Sequence, residues 1–108
     1  MPSYCVLYSP GPAWRQGAPT AQQDLLEHGR YLDNLMVAGQ LVLAGPFPDN
    51  GGMAVVECGS LSEAQALVAR DPAVRGEIMV PAVLPWQAIF DRRLGLSPFG
   101  AATAAKTS

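Results

Sequence analysis

The sequence is short of the residue types that most often carry recognisable chemistry. Its 108 residues include one histidine and two cysteines, and only 7% of them are aromatic. No CxxC pair is present, so neither a structural zinc site nor a dense disulfide framework is expected. We therefore predict no metal centre, and we predict that Cys5 and Cys58 are buried free thiols.

Charge and long apolar runs are also scarce. Charged residues make up 15% of the chain, the net charge is −2, and the seven basic residues form no stripe that could follow nucleic-acid phosphates. The segment GPFPDNGG lacks the lysine and the helix start of a nucleotide-binding loop, so no cofactor is predicted. No run approaches the roughly 18 apolar residues of a membrane span, and no basic leader precedes the first apolar run. We expect a cytoplasmic protein that binds neither nucleic acid nor membranes.

What the chain does contain is enough apolar material for one core. Hydrophobic residues make up 49% of the sequence, which is typical of a globular domain. The periodic patterns lie in residues 1–93, which we predict to be a single domain. Residues 94–108 show no sustained period and end in small residues, which is typical of a flexible tail.

Four short apolar runs are typical of β-strands, namely residues 4–9, 41–47, 53–58 and 77–90. The turn residues PDNGG between the second and third runs predict a hairpin. Pro81 and Pro85 share one alternation parity in the last run. Because neither can donate a ladder hydrogen bond, we predict that this run is an edge strand with both prolines facing outward.

Two helices are predicted between these strands. Thr20 and Gln23 fit a capping box, after which an apolar stripe continues to about Met36 and Gly39 supplies the stop. The segment SLSE, residues 60–63, fits a second capping box, and the following helix ends before Asp71-Pro72. The proline-rich loop before the first helix contains Trp14, which either covers the core or forms a lid over a site.

The element order predicts an α+β fold of the ferredoxin-like βαββαβ type. The strands are apolar on both faces, whereas two helices can cover only one face of the sheet. A homodimer that buries the helix-free sheet face follows, which is the dimeric α/β-barrel type. The alternative is that the N-terminal loop or the tail folds over that face.

His28, the only histidine, falls on the apolar stripe of the first helix. It lies three residues after Leu25 and four before Leu32, so a helical period turns all three toward the core. A single inward histidine is either a satisfied core residue or a catalytic group. The spacing alone does not distinguish the two.

Asp71 is a second inward polar residue, at the end of the second helix. A carboxylate there meets the negative end of the helix dipole and needs a donor nearby. If the two helices pack side by side, Asp71 orients the His28 imidazole and leaves its other nitrogen as a general base. The alternative is that Asp71 caps the turn before Pro72.

The ordered segments EHGRYLDNLMVAGQLVLAGPF, GGMAVVECGSLSEAQALVARDP and VLPW resemble the YCII-related (YciI-like) family over about residues 4–90. The resemblance implies a dimeric ferredoxin-like fold, a catalytic pair at His28 and Asp71, and elimination chemistry of the dehydrochlorinase type. Ala73 stands where a bulky aromatic residue is more usual in the family, which implies a different pocket shape.

Four further residues are candidates for binding a small molecule. Gly45 and Pro46 end the second strand and either line a pocket or simply turn the chain. Tyr8 and Trp86 either supply a hydroxyl or a stacking wall, or belong to the core. The leading hypothesis is a cofactor-free enzyme for elimination or isomerisation. The alternatives are a non-catalytic binding or assembly module with a structural His-Asp pair, and a heme-free monooxygenase-like dimer.

Overall fold

In the part of the chain that the structure describes, four antiparallel strands form one sheet, and three α-helices pack on one of its faces. A computed structural model describes residues 1–100 of the chain. The strands are β1 (Ser3–Pro10), β2 (Leu41–Pro46), β3 (Gly52–Glu57) and β4 (Met79–Pro85). The helices are α1 (Leu26–Val37), α2 (Leu61–Ala69) and α3 (Pro72–Arg75). Within residues 1–100, no helix is long and apolar enough to cross a membrane.

The strand order is β2-β3-β1-β4, so β4 lies at an edge, as the prolines predict. Pro81 is opposite Tyr8 and Pro85 is opposite Tyr4 in the pairing with β1. A proline cannot donate to its neighbour, so these are the non-hydrogen-bonded positions and the missing N–H groups face outward. The strand is shorter than the predicted run of 77–90, because the chain after Pro85 leaves the sheet.

The core lies between the sheet and the helices. Alternate residues of β1, Tyr4, Val6 and Tyr8, are buried and point toward the helices, and Val6 is completely buried. They pack in one cluster with residues of β3 and of all three helices, namely Ala54, Val56, Leu35, Ala64, Leu67, Val68 and Ala73. The core is therefore closed over β1 and β3, whereas β2 is largely exposed.

The predicted start of the first helix is wrong. The helix follows Leu25, without a side-chain cap, and Thr20 instead opens a separate short 3-10 turn. The Thr20 hydroxyl faces the backbone carbonyl oxygens of Phe47 and Gly51, at 3.2 and 3.4 Å, so it binds the β2–β3 hairpin. Gln23 does not complete a capping box because its side chain is buried against the preceding loop.

That loop is held by Gln23. The side-chain oxygen of Gln23 accepts from the Arg15 backbone N–H at 2.7 Å. Its amide group donates to the carbonyl oxygens of Arg15 and Ala18, both at 3.0 Å. Trp14 is buried in the main core cluster, so it covers the core and is not a lid. The proline-rich segment is thus an ordered wall beside the sheet.

The Ser60 cap of the second capping box is confirmed, and the Glu63 side chain binds the N–H of the residue before the cap. The Ser60 hydroxyl accepts from the Glu63 backbone N–H at 3.2 Å, and the Glu63 carboxylate accepts from the Gly59 N–H at 2.8 Å. α2 begins directly after this cap and ends at Ala69, two residues before Asp71. The local sequence therefore fixes where Asp71 lies relative to the sheet.

The chain after β4 crosses part of the helix-free face. Phe90 and Leu94 line a depression together with Leu43 and Val55 of the sheet. Residues Asp91 and Leu96 form an isolated bridge, which spans the predicted domain boundary at 93–94. Of the described residues of the predicted tail, Leu94 alone lines this depression, so the chain before the tail covers this part of the face. Residues 101–108 of the predicted tail lie outside the described residues.

Candidate active site

His28 and Asp71 meet between α1 and the junction of α2 with α3. The His28 Nδ1 atom lies 2.6 Å from the Asp71 Oδ2 atom. The Asp71 side chain is 1% exposed and the His28 side chain 14% exposed. The pair is therefore sealed on the aspartate side and reachable only through the imidazole.

Asp71 also caps α3, so the two interpretations of this residue are compatible. Its second carboxylate oxygen, Oδ1, accepts from the Ala73 backbone N–H at 2.9 Å. Pro72 occupies the first turn of α3, where its missing N–H costs nothing. The cap fixes the carboxylate, and the fixed carboxylate in turn fixes the plane of the imidazole.

The partners of Asp71 determine which nitrogen of His28 is available. An ionised carboxylate can only accept hydrogen bonds, so the His28 Nδ1 atom must carry the proton between them. In a neutral imidazole the other ring nitrogen, Nε2, then has a free lone pair. His28 lines a cavity, so this arrangement offers a base to whatever occupies it.

The cavity has a volume of about 250 Å³. Apart from Tyr8, Thr20 and His28, its walls are apolar side chains and backbone, from Leu25, Leu32, Ala44, Gly45, Pro46, Gly51, Gly52, Met53 and Met79. A cavity of about 150 Å³ is enough for benzene, so this one accommodates a single ring with several substituents. Such a lining favours a small, largely apolar molecule with one or two polar groups.

Two of the three hairpin glycines that line this cavity allow backbone segments to approach closely. Gly52 lies directly opposite Tyr8, and a Cβ atom there would lie 2.6 Å from the Gly45 carbonyl oxygen. Gly51 has a φ of +65°, and a Cβ atom on it would lie 2.1 Å from the Tyr8 carbonyl oxygen. At Gly45 an added Cβ would meet nothing within 4 Å.

Tyr8 stands beside the pair. Its ring contacts the His28 ring edge to face, with centroids 5.5 Å apart and an interplanar angle of 80°. Burial, and after it the charge of Asp71, raises the pKa of Tyr8 well above its ordinary value. The Tyr8 phenol therefore stays neutral at physiological pH and can act as a hydrogen-bond donor.

Comparison with known protein families decides the affiliation of the chain. The model of the YCII-related domain matches residues 3–87, which include every residue of the cavity and of the pair. The chain belongs to the YCII-related family. No curated protein matches it.

A solved structure supports the fold of this YCII-related chain. It is that of 5-chloro-2-hydroxyhydroquinone dehydrochlorinase from Burkholderia phenoliruptrix AC1100, in complex with 2,5-dihydroxybenzoquinone. The two proteins are 20% identical, with a TM-score of 0.59 over 78% of this chain and 93% of the other. At this identity the similarity establishes a shared small α+β fold.

The structure brings most of the residues singled out in the sequence to one cavity. Tyr8, His28, Gly45 and Pro46 all line it, and Asp71 lies directly behind His28. Trp86 does not line it. It lies at the start of the C-terminal segment and borders other depressions, beside Ser3 and the helix-free sheet face.

Sequence reasoning missed Thr20, Met53 and Met79 as cavity residues of this YCII-related fold. Thr20 was assigned to a helix cap, and the two methionines lie in strand runs that look like ordinary core. The adjacent glycines at 51 and 52 were a usable signal, since two glycines before a strand exceed what a turn requires. Within residues 1–100, no three potential metal-ligating side chains come together.

Proposed function

We propose that this YCII-related protein is a small-molecule enzyme in which His28 acts as a general base. The proposal is carried by the position of the His28 imidazole, which lines an apolar cavity. Its Nδ1 atom is held by the buried carboxylate of Asp71, which also caps α3. A base held in this way needs no further orientation when a substrate binds, which is how positioned histidines contribute to catalysis.

The reaction we propose begins with proton transfer from a C–H or O–H group of a one-ring molecule to the Nε2 atom of His28. In elimination, the electron pair left behind forms a new double bond, and a leaving group such as chloride departs with its own bonding pair. In isomerisation, the proton returns to another atom of the same molecule. The similar structure from Burkholderia, a dehydrochlorinase with a bound hydroxyquinone, supports the elimination form.

We assign Gly45, Pro46 and Tyr8 to substrate binding. Gly45 and Pro46 form the wall of β2, where the absent side chain of Gly45 leaves space for a ring. Tyr8 forms the wall beside His28. Trp86, which the sequence proposed for the same role, is left out of the site because it borders other depressions.

The test is turnover of chlorinated hydroxyhydroquinones, followed by chloride release. We expect His28→Gln to lower kcat by roughly 10²- to 10⁴-fold, the usual contribution of a general base. Glu27→Gln, next to it on the exposed side of α1, is the control and leaves kcat unchanged. Undiminished turnover in His28→Gln, or wild-type protein that releases no chloride from the whole series, would overturn the proposal.

The second candidate is a non-catalytic binding or assembly module. It is favoured by the complete burial of Asp71, whose two oxygens are both used within the fold. In that case the pair only joins α1 to α3, and His28→Gln changes the unfolding free energy without affecting any reaction. Measuring turnover and thermal unfolding on the same variant separates the two candidates.

We also propose that the chain forms a homodimer of the ferredoxin-like, dimeric α/β-barrel type through its helix-free face. Among the four strands only Glu57 is charged, and Leu7, Val80 and Leu84 are well exposed on that face. Such a patch is larger than monomers usually leave open, and a second copy offers a matching surface. We also propose a cytoplasmic location, which the two free cysteines support.

The dimer is tested by sedimentation. Leu7→Lys places a charge in the middle of the helix-free face and should convert the dimer to a monomer that is still folded. Val37→Lys, at an exposed apolar position at the end of α1, is the control and should leave the dimer intact. A wild-type protein that sediments as a monomer at all concentrations contradicts the dimer.

A further inference from the structure

We propose that the Tyr8 hydroxyl donates the hydrogen bond that stabilises the substrate oxygen on which negative charge develops when His28 removes a proton. This inference rests on the proposed function and extends it to a second catalytic residue. It assigns the substrate a class, namely a phenol, enol or ketone whose oxygen lies next to the proton that His28 removes.

Few of the side chains that line the cavity can donate a hydrogen bond to a substrate. Among the described residues that line it, only Tyr8, Thr20 and His28 have polar side chains. The Thr20 hydroxyl is already directed at the carbonyl oxygens of Phe47 and Gly51. His28 presents the nitrogen that accepts the proton. The Tyr8 hydroxyl is the remaining side-chain donor, and the Asp71 carboxylate beside it is the acceptor with which a substrate oxygen competes.

The position of Tyr8 relative to His28 also fits this role. Tyr8 packs against the His28 ring, with 5.5 Å between the ring centroids, so one bound ring can reach both groups. The register places Gly52 and Pro81 across from Tyr8 on its two neighbouring strands, and Gly52 carries no side chain to cover the ring. Tyr8 is itself 6% exposed, so its hydroxyl has little competing water.

The movement of electrons in the proposed reaction requires a donor and not a second base at Tyr8. When Nε2 takes the proton, the electron pair moves onto the neighbouring oxygen, and no proton has to leave Tyr8. A neutral hydrogen-bond donor close to the oxygen on which charge develops lowers the barrier of such a step. Burial, and after it the charge of Asp71, raises the pKa of Tyr8, so the phenol stays protonated and remains a donor throughout the cycle.

The experiment uses 4-nitrophenol as a probe, because its phenolate is coloured and represents the charged state. In the wild type we expect it to bind as the phenolate, with its proton on His28. Tyr8→Phe should weaken phenolate binding roughly ten- to hundredfold, the range for a hydrogen bond to a charged oxygen. Tyr31→Phe is the matched control, because the Tyr31 hydroxyl donates to the Leu67 carbonyl oxygen outside the cavity.

A second variant separates the hydroxyl from the packing of the ring. Tyr8→3-fluorotyrosine keeps the ring and makes the hydroxyl a stronger donor, so phenolate binding should be kept or tightened. With a chlorinated substrate, Tyr8→Phe should lower kcat by roughly 10²- to 10³-fold and leave KM nearly unchanged. A ring that serves only as a wall would instead raise KM.

The outcomes distinguish the two levels of the proposal. If His28→Gln abolishes phenolate binding while Tyr8→Phe binds as the wild type does, the role of Tyr8 is overturned and the general base stands. If the wild type neither binds the phenolate nor turns over a chlorinated hydroquinone, both proposals fall. Weaker binding in Tyr8→Phe together with retention in Tyr8→3-fluorotyrosine supports the assignment.

Discussion

Both faces of the sheet are largely apolar, but the side chains on one face are buried and many on the other are exposed. On the helix-covered face, Val6 and Ala54 are completely buried. On the helix-free face, Leu7 is 38% exposed and Leu84 is 48% exposed, and the chain after β4 covers only a part. The strands alone do not reveal which face becomes the core. The helices determine which face becomes the core. His28 lies on α1 and Asp71 at the junction of α2 with α3, so both polar groups lie on that same face.

The comparison extends to two aspartates. Asp71 and Asp91 each accept a backbone N–H two residues later, and each binds a basic side chain. Asp71 does so inside the helix-covered core, beside a cavity. Asp91 does so in the segment that crosses the helix-free face, against the exposed Arg93. The same local chemistry supports a site in one place and a surface turn in the other.

The largest effect is expected from Asp71→Ala. It leaves the His28 imidazole and the Ala73 N–H without their buried acceptor, which should cost about 3–5 kcal/mol of unfolding free energy. Urea unfolding measures it. Asp91→Ala removes the equivalent cap on the other side of the sheet and should change the free energy far less. Equal losses in the two variants would mean that burial does not distinguish the two carboxylates.

The next largest effect compares neighbouring residues on opposite faces. Val6→Ala empties space in the closed core and should cost about 2 kcal/mol. Leu7→Ala removes more atoms but should cost less in dilute protein, because Leu7 is partly exposed. Raising the protein concentration should increase the cost of Leu7→Ala alone, since the proposed dimer would bury that face. A concentration-independent cost contradicts the role of that face.

A third comparison concerns the glycines of the cavity. Gly52→Ala should destabilise the fold by about 1–3 kcal/mol, because the new methyl group would lie 2.6 Å from the Gly45 carbonyl oxygen. Gly45→Ala should leave the thermal unfolding temperature unchanged, because its methyl group meets nothing within 4 Å. A similar loss in both would mean that the strand conformation, not the space around it, requires the glycines.

The smallest effect is a pH dependence from Tyr8. Its pKa is raised in the folded state above the ordinary value of 10.0, so the unfolded chain releases this proton first as the pH rises. The stabilisation by neutral Tyr8 is therefore complete below about pH 10 and is lost above it, by up to about 1.4 kcal/mol per pH unit. Denaturant unfolding should show a shallower alkaline decline in Tyr8→Phe than in the wild type. Parallel curves would contradict the burial of the phenol.

Much of the fold was predictable because its signals are local. The Ser60 cap, the prolines of β4 and the hairpin glycines each act within a few residues, and each prediction agrees with the structure. The start of α1 was not predictable in this way. Thr20 fits a local capping pattern, but a longer-range contact to the hairpin takes its hydroxyl instead.

The candidate site was likewise predictable only where its signals are local. The inward position of His28 follows from helical spacing, whereas Asp71 lies beyond the end of α2 and points inward as the N-cap of α3. The choice between dyad and cap could not be made from spacing, because Asp71 uses a different oxygen for each role. Trp86 was placed in the site by residue type alone, and only the direction of the chain after β4 shows where it lies.

We propose that Asp71 holds the proton of His28 on Nδ1 and leaves Nε2 free toward the cavity. Because His28 is the only histidine, long-range ¹H–¹⁵N NMR correlation on labelled protein reads its tautomer directly. At a pH where the ring is neutral, we expect the proton on Nδ1 in the wild type and a mixture of tautomers in Asp71→Ala. A wild-type imidazole protonated on Nε2 would leave no base facing the cavity and would contradict the account.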